Sequence, residues 1–185
     1  MKFETMLKVG KKLNIKNYAN YIDVVNKMAV YTNGFLLVRN HAPAGMVDGK
    51  YSLTQAVPEL KSGVQYPRYA EIINTPGHTK VPDPSNFVAP LKSAHKSLDK
   101  LALFYSHKDD CWTIVLRDNL AGKKDSQGNE LIGFDLGQMA LLCDTAWDEY
   151  SLSESGNLVA LCYGSAENDS LPRPTGILAP ITFRE

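Results

Sequence analysis

The sequence predicts an α+β fold in which helices pack on one face of antiparallel sheets, and three observations predict it. Short stretches with apolar residues at helical spacing are interspersed with clusters of β-forming residues. The β-clusters follow one another across short polar turns, which reads as meanders with helices layered against them. The order short strand, helix, strands then recurs, starting near residues 2, 80 and 131, as an architectural repeat without residue-level self-similarity.

Length and composition bound what such a fold can be. The chain has 185 residues and 44% hydrophobic content, room for one large domain or up to two small ones with a real core. Twenty basic residues balance 20 acidic ones, so no global field attracts nucleic acid or an anionic membrane, and any such binding must be local. Cys111, Cys143 and Cys162 are odd in number and lack C-x-x-C spacing, which reads as reduced core thiols in a cytoplasmic protein. No run approaches the ~18 apolar residues needed to span a bilayer. The charged start Met1-Lys2-Phe3-Glu4 has no signal-peptide apolar region, so no membrane partner is expected.

In order, Met6, Leu7, Val9 and Leu13 predict a short amphipathic helix over residues 3 to 13, with Lys8, Lys11 and Lys12 on its other faces. From Tyr18 to Arg39 the composition turns to β-formers, broken at Asn26-Lys27 and at Thr32-Asn33-Gly34, where Asn-Gly between apolar runs is a hairpin signal. Tyr51 to Thr54 is a further short strand after a Pro/Gly loop. The stretch Tyr66-Pro67-Arg68-Tyr69-Ala70-Glu71-Ile72-Ile73 is an extended connector: Pro67 cannot donate to a ladder and biases Tyr66 away from helix, while its apolar residues must pack on something at both ends.

A second helix is expected from about Ser85 to Leu98, capped by Ser85 or Asn86, with Lys92, Lys96 and Lys100 recurring on one face. Leu101 to Tyr105 and Trp112 to Leu116 read as strands joined by the turn His107-Lys108-Asp109-Asp110, followed by a polar loop from Leu120 to Glu130. A third helix runs from about Asp135 to Thr145, with Asp135 favourable at its positive end. Glu149 to Leu152 and Leu158 to Tyr163 form a strand pair, and Gly176 to Ile181 closes the chain as a strand whose Pro180 points to a sheet edge.

Three of these segments, in this order, resemble the bacterial DNA polymerase sliding clamp, the β subunit that acts as processivity factor. Thr32-Asn33-Gly34-Phe35-Leu36-Leu37 is similar to the clamp's Thr-Asp-Gly-His-Arg-Leu turn. The connector Tyr66 to Ile73 resembles its Phe-Pro-Asp-Tyr-Arg-Arg-Val-Ile segment, and Ile177-Leu178-Ala179-Pro180-Ile181 its C-terminal Val-Val-Met-Pro-Met strand. The resemblance implies DNA-clamp (processivity-fold) units: a half unit over 1–63, a connector over 64–84 and two half units over 85–185, a shortened form such as a phage or mobile element would carry.

It further implies an apolar pocket for a short linear motif of a DNA polymerase or repair protein, lined by Thr32, Gly34, Leu37, Pro67, Ile72, Ile177, Pro180 and Ile181. Phe35, Leu36, Glu71 and Ala179 depart from the family, so this pocket is expected to be more apolar and less basic. Lys8, Lys11, Lys12, Lys92, Lys96 and Lys100 are the residues that would face double-stranded DNA non-specifically, through loose phosphate contacts. The third helix carries no Lys or Arg. A homo-oligomer would be needed to close a ring. The resemblance implies no catalytic residues, no metal and no cofactor.

Plainer readings stand beside these. Lysine stripes usually mark a solvated helix face, and buried Leu, Ile and Pro are usually ordinary core. A clamp-like module that binds peptides without DNA is an alternative that the balanced charge favours. A small hydrolase using Cys111 and His107 is a third, but consecutive residues in His107 to Cys111 with no second ligand cluster read more simply as a turn.

Overall fold

The computed structural model describes residues 21–52, 60–61, 78–89, 100–106, 108–124, 128, 133–144, 147–153, 160–163 and 172–181. Its strands are β1 (Tyr21–Val25), β2 (Met28–Thr32), β3 (Leu36–His41), β4 (Gly49–Ser52), β5 (Leu60–Lys61), β6 (His78–Val81), β7 (Leu101–Ser106), β8 (Cys111–Leu116), β9 (Gly133–Asp135), β10 (Glu149–Ser153), β11 (Ala160–Tyr163) and β12 (Thr175–Leu178). Among the described residues the α-helices are α1 (Ser85–Val88) and α2 (Leu136–Leu142), and a 3-10 helix spans Arg117–Asn119. The expected helix over residues 3 to 13, the connector Tyr66 to Ile73 and most of the helix expected to reach Leu98 lie outside the described residues.

The strands form two antiparallel sheets, one in the order β5-β4-β1-β2-β3-β12-β11-β10-β6 and one in the order β8-β7-β9. The local hairpins follow from turn chemistry. Asn26 and Lys27 both adopt positive φ, 51° and 64°, which closes β1 on β2 with Val25 opposite Met28 in the twist-matched two-residue turn. The non-local pairings follow a rule of exchange. The short strand before each helix leaves its own unit: β6 pairs with β10, and β9 pairs with β7.

The last strand corrects the edge expectation. β12 is a central strand, hydrogen-bonded to β3 on one side and β11 on the other. Pro180 lies beyond Leu178, so its missing N–H removes nothing from either ladder and places no limit on where the strand sits. The cap of α1 is a second correction. Ser85 is the first helical residue and Pro84 the cap position, while the Asp83 carboxylate accepts from the Ser85 N–H at 2.8 Å. α2 matches its expected start more closely: Asp135 is the cap, and its side chain accepts from the Gln138 N–H.

One apolar core gathers the inward face of the nine-stranded sheet, both helices and one face of the three-stranded sheet. Ile22, Val24, Ala29, Tyr31, Leu36 and Val38 meet Leu136, Met139 and Leu142 of α2 and Leu103 and Trp112 of the smaller sheet. A smaller cluster of Ala102, Leu120 and Ile181 fills the other side of that smaller sheet. Helix and sheet approach closely at Gly176. A Cβ there would stand 2.4 Å from Leu142 Cδ1 and 2.9 Å from Trp147 Cζ2. The indole cannot swing away freely, because its N–H donates to Leu142 O at 2.8 Å.

Two outcomes are expected. Gly176→Val should lower stability by about 1–3 kcal/mol through overpacking, read as an earlier urea midpoint with unchanged slope. Burial raises the Tyr31 and Tyr105 phenols from 10.0 to about 12, with an Asp110 hydrogen bond adding to the shift at Tyr105. The unfolded phenols therefore ionise first, so stability is full below pH 10 and falls as pH rises toward 12. Among the described residues the buried Tyr31 hydroxyl has no hydrogen-bond partner, so Tyr31→Phe should leave neutral-pH stability unchanged or improved and make the alkaline decline shallower in denaturation curves.

Candidate functional site: the seam between β3 and β12

The β2–β3 turn is built around Asn33, a fully buried polar residue. Its Oδ1 accepts from the N–H groups of Phe35 at 2.9 Å and Leu36 at 2.8 Å, and its own N–H donates to Leu36 O at 3.1 Å. Its amide nitrogen donates to Gln138 Oε1 at 3.1 Å, tying the turn to α2. Thr32 Oγ1 accepts from Gly34 N at 3.1 Å. Gly34 takes φ +93°, a left-handed conformation that a side chain would strain.

This turn delivers β3 against β12 in the register Leu36↔Leu178, Leu37↔Ile177, Val38↔Gly176 and Arg39↔Thr175, and Ala179 N donates to Phe35 O at 2.7 Å just past the strand end. Strand alternation sorts the side chains. Leu36, Val38 and Leu178 enter the main core. Leu37 and Arg39 of β3, with Phe35 just before it, therefore share the opposite face with Thr175 and Ile177 of β12 and Ala179 just after it. Leu37 and Ile177 are buried there, Ala179 and Pro180 are half-buried, and Phe35 is 49% exposed. Deeper along the same face the chemistry turns polar: Arg39 Nη2 donates to Thr175 Oγ1 at 2.9 Å and to Arg173 O at 3.0 Å. The arrangement is a strip that runs from an exposed aromatic ring through two buried aliphatics to a guanidinium.

Of the pocket residues expected from the sequence, Thr32, Gly34, Leu37, Ile177 and Pro180 fall on this turn and on the two paired strands or just beyond them. Ile181 packs instead with Ala102 and Leu120, and its N–H donates to Gly133 O at 2.8 Å. Pro67 and Ile72 lie outside the described residues, as do Lys8, Lys11, Lys12, Lys92 and Lys96. Lys100 stands exposed immediately before β7.

Sequence reasoning passed over Asn33 and Gln138. An Asn at a turn is a readable signal, but its partner lies 105 positions away and nothing in the sequence marks it. Among the described residues no group of three or more His, Cys, Asp or Glu could hold a metal ion, and no helix is long and apolar enough to cross a membrane.

No family model matches the chain, and no curated protein matches it. A search of solved structures finds a likeness to the Helicobacter pylori beta clamp, solved in complex with 3,4-difluorobenzamide, at 11% identity and a TM-score of 0.46. The match covers 97% of this chain and 64% of that one, so the chain spans under two thirds of the clamp chain's length.

The turn is expected to fail as a unit. Asn33→Ala leaves the buried Leu36 N–H and the Gln138 amide without their partner and should cost about 2–4 kcal/mol, measured by chemical denaturation. Gln138→Ala, which breaks only one of these bonds, should cost less.

Proposed function

We propose that this chain is a non-catalytic, clamp-like accessory protein that captures a short apolar peptide of a DNA polymerase or repair partner at the β3–β12 seam and holds that partner on duplex DNA. The observation that carries the reading is convergence. Two segments that resemble the clamp's pocket segments, one near the beginning of the chain and one near its end, are neighbouring strands. A Gly turn gives a peptide access to backbone, and aliphatic residues beside a Pro make a rigid apolar wall. Pro67 and Ile72 of the connector would complete that wall. Phe35 in place of His and Ala179 in place of Met make it aromatic on one strand and shallow on the other, suited to an apolar side chain laid against the ring.

Contact with DNA would fall to Lys8, Lys11, Lys12, Lys92, Lys96 and Lys100, whose ammonium groups suit sequence-independent phosphate contacts that weaken with salt. A second reading, a clamp-like module that binds the peptide but not DNA, is favoured by one observation: 20 basic residues against 20 acidic ones give no general attraction for a polyanion.

Two measurements test the pair. Fluorescently labelled six-residue peptides carrying two Leu or Phe residues should bind with a polarisation signal that Phe35→Asp reduces about tenfold or more; no binding by any of them ends the seam reading. Nicked circular duplex should be retained more than its linear form, and Lys92→Glu with Lys96→Glu should abolish the retention. Peptide binding with no DNA retention selects the second reading.

A further inference from the structure

Asn33-Gly34 is the only Asn-Gly step in the sequence, and such a step carries chemistry besides its turn preference. The backbone nitrogen of the second residue can attack the side-chain amide carbon of the first. A new N–C bond then closes a succinimide ring, the side-chain nitrogen leaves as ammonia, and the proton from the attacking N–H passes through solvent to it. Water opens the ring to Asp or to isoAsp. Gly in second position leaves the approach unhindered, because it has no Cβ.

The folded turn holds both reacting groups away from that geometry. Asn33 Oδ1 is fixed by the N–H groups of Phe35 and Leu36, at 2.9 and 2.8 Å, and Nδ2 by Gln138 Oε1 at 3.1 Å. The amide therefore cannot rotate toward Gly34 without breaking these bonds. The nucleophile is also occupied, since the Gly34 N–H that must give up its proton donates to Thr32 Oγ1 at 3.1 Å.

The two N–H donors on Oδ1 act in the opposite sense, polarising the carbonyl as an oxyanion hole does. Orientation and burial outweigh them. Polarisation helps only a nitrogen already placed to attack, and Asn33 is 0% exposed, so the water that carries the proton and opens the ring reaches it only when the turn opens.

We propose that Asn33 is a deamidation site controlled by local opening of the β2–β3 turn. The closed turn preserves the amide, each opening offers it to the Gly34 nitrogen, and one reaction makes the release of the turn permanent. Both products replace the amide group that donates to Gln138 with an ionised carboxylate, which has no proton to donate and is costly to bury at this site. IsoAsp also adds a carbon to the main chain inside the turn, which shifts Oδ1 from the Phe35 and Leu36 N–H groups. Water is the only co-reactant, and the inference rests on the geometry of the turn, whatever docks at the seam.

Peptide mapping by mass spectrometry of the full chain, incubated in mildly alkaline buffer with and without urea, tests this. Asn33 should deamidate about a hundredfold or more slowly in the folded chain than in the unfolded one, because only the opened fraction reacts. Thr32→Val, which removes the acceptor of the Gly34 N–H, and Gln138→Ala, which removes the acceptor of the Asn33 amide, should each raise the folded rate about tenfold or more and leave the rate in urea unchanged. Thr32→Ser, which keeps the hydroxyl, should stay near wild type. Gly176→Val, which lowers global stability and leaves these hydrogen bonds in place, should also stay near wild type; a rise matching that of Thr32→Val would assign the reaction to global unfolding and overturn the proposal. Folded and unfolded chains reacting equally fast overturn it too, as do Thr32→Val and Gln138→Ala variants with native far-ultraviolet spectra and wild-type rates. The deamidated chain, separated by its added negative charge, should unfold at lower urea than the amide form, and equal midpoints would overturn the permanent release.

Discussion

The architecture depends on one pairing, β3 against β12. On one side of it stand β3, β2 and β1 followed by β4 and β5, and on the other β12, β11 and β10 followed by β6. Without this seam the sheet divides into two pieces, each exposing an apolar edge strand. β2, β3 as far as Val38, and the whole of β12 are buried on both faces. Their register is therefore strongly specified, because a slip of one residue would turn Leu37 and Ile177 into the helix-packed core and expel Leu36 and Leu178 from it. The loop that must close to form the pair is most of the chain, which makes the seam a late contact in folding by entropy alone.

Two devices hold the seam in place, one at each end of α2. At its start, the Asp135 cap positions Gln138, which takes the Asn33 amide and so fixes the turn that begins β3. Past its end, Leu142 and Trp147 press on β12 where Gly176 leaves no side chain. A single short helix thus reads both strands of the seam, by a polar contact on one and by close packing on the other. Arg39 adds a third restraint on the far face by bonding to Thr175 directly across the pair.

How much of this was legible in the sequence divides along sequence separation. Strand positions were readable wherever β-branched and aromatic residues cluster between turn signals, as at Tyr21–Val25, Met28–Thr32 and Cys111–Leu116. The α2 start was readable because an acidic residue, Asp135, stands at the positive end of an apolar helical pattern. The strands His78–Val81 and Gly133–Asp135 were implied by the repeat, but not the sheet each would join, because exchange between units leaves no periodic trace in either. The central placement of β12 was misread for a simple reason: a Pro argues for an edge only when its nitrogen would have donated to the ladder, and Pro180 is past it. Within the candidate site, the β-forming residues and the Asn33-Gly34 turn were readable as strand and hairpin signals, while their joining into one pocket rested on the resemblance alone. The buried Asn33–Gln138 bond was not, since a side-chain hydrogen bond over such a separation has no local signature.

The contrast between the seam and β8, an edge of the smaller sheet, follows from how each strand is bounded and covered. β3 as far as Val38 and the whole of β12 carry small or aliphatic residues on both faces and are flanked by residues that no longer need to pair, Phe35 beside a Gly turn and Pro180 beyond Leu178. Burial stabilises that pairing, and among the described residues the exposed Phe35 ring at its end is the large apolar group the seam leaves in water. β8 is bounded instead by the turn at 108–110 and the 3-10 helix Arg117–Asn119, and its exposed Thr113 is polar enough to stand in water. The difference is one of burial: a strand covered on both faces has its register set by which residues enter the core, whereas β8 takes its register from its hairpin with β7.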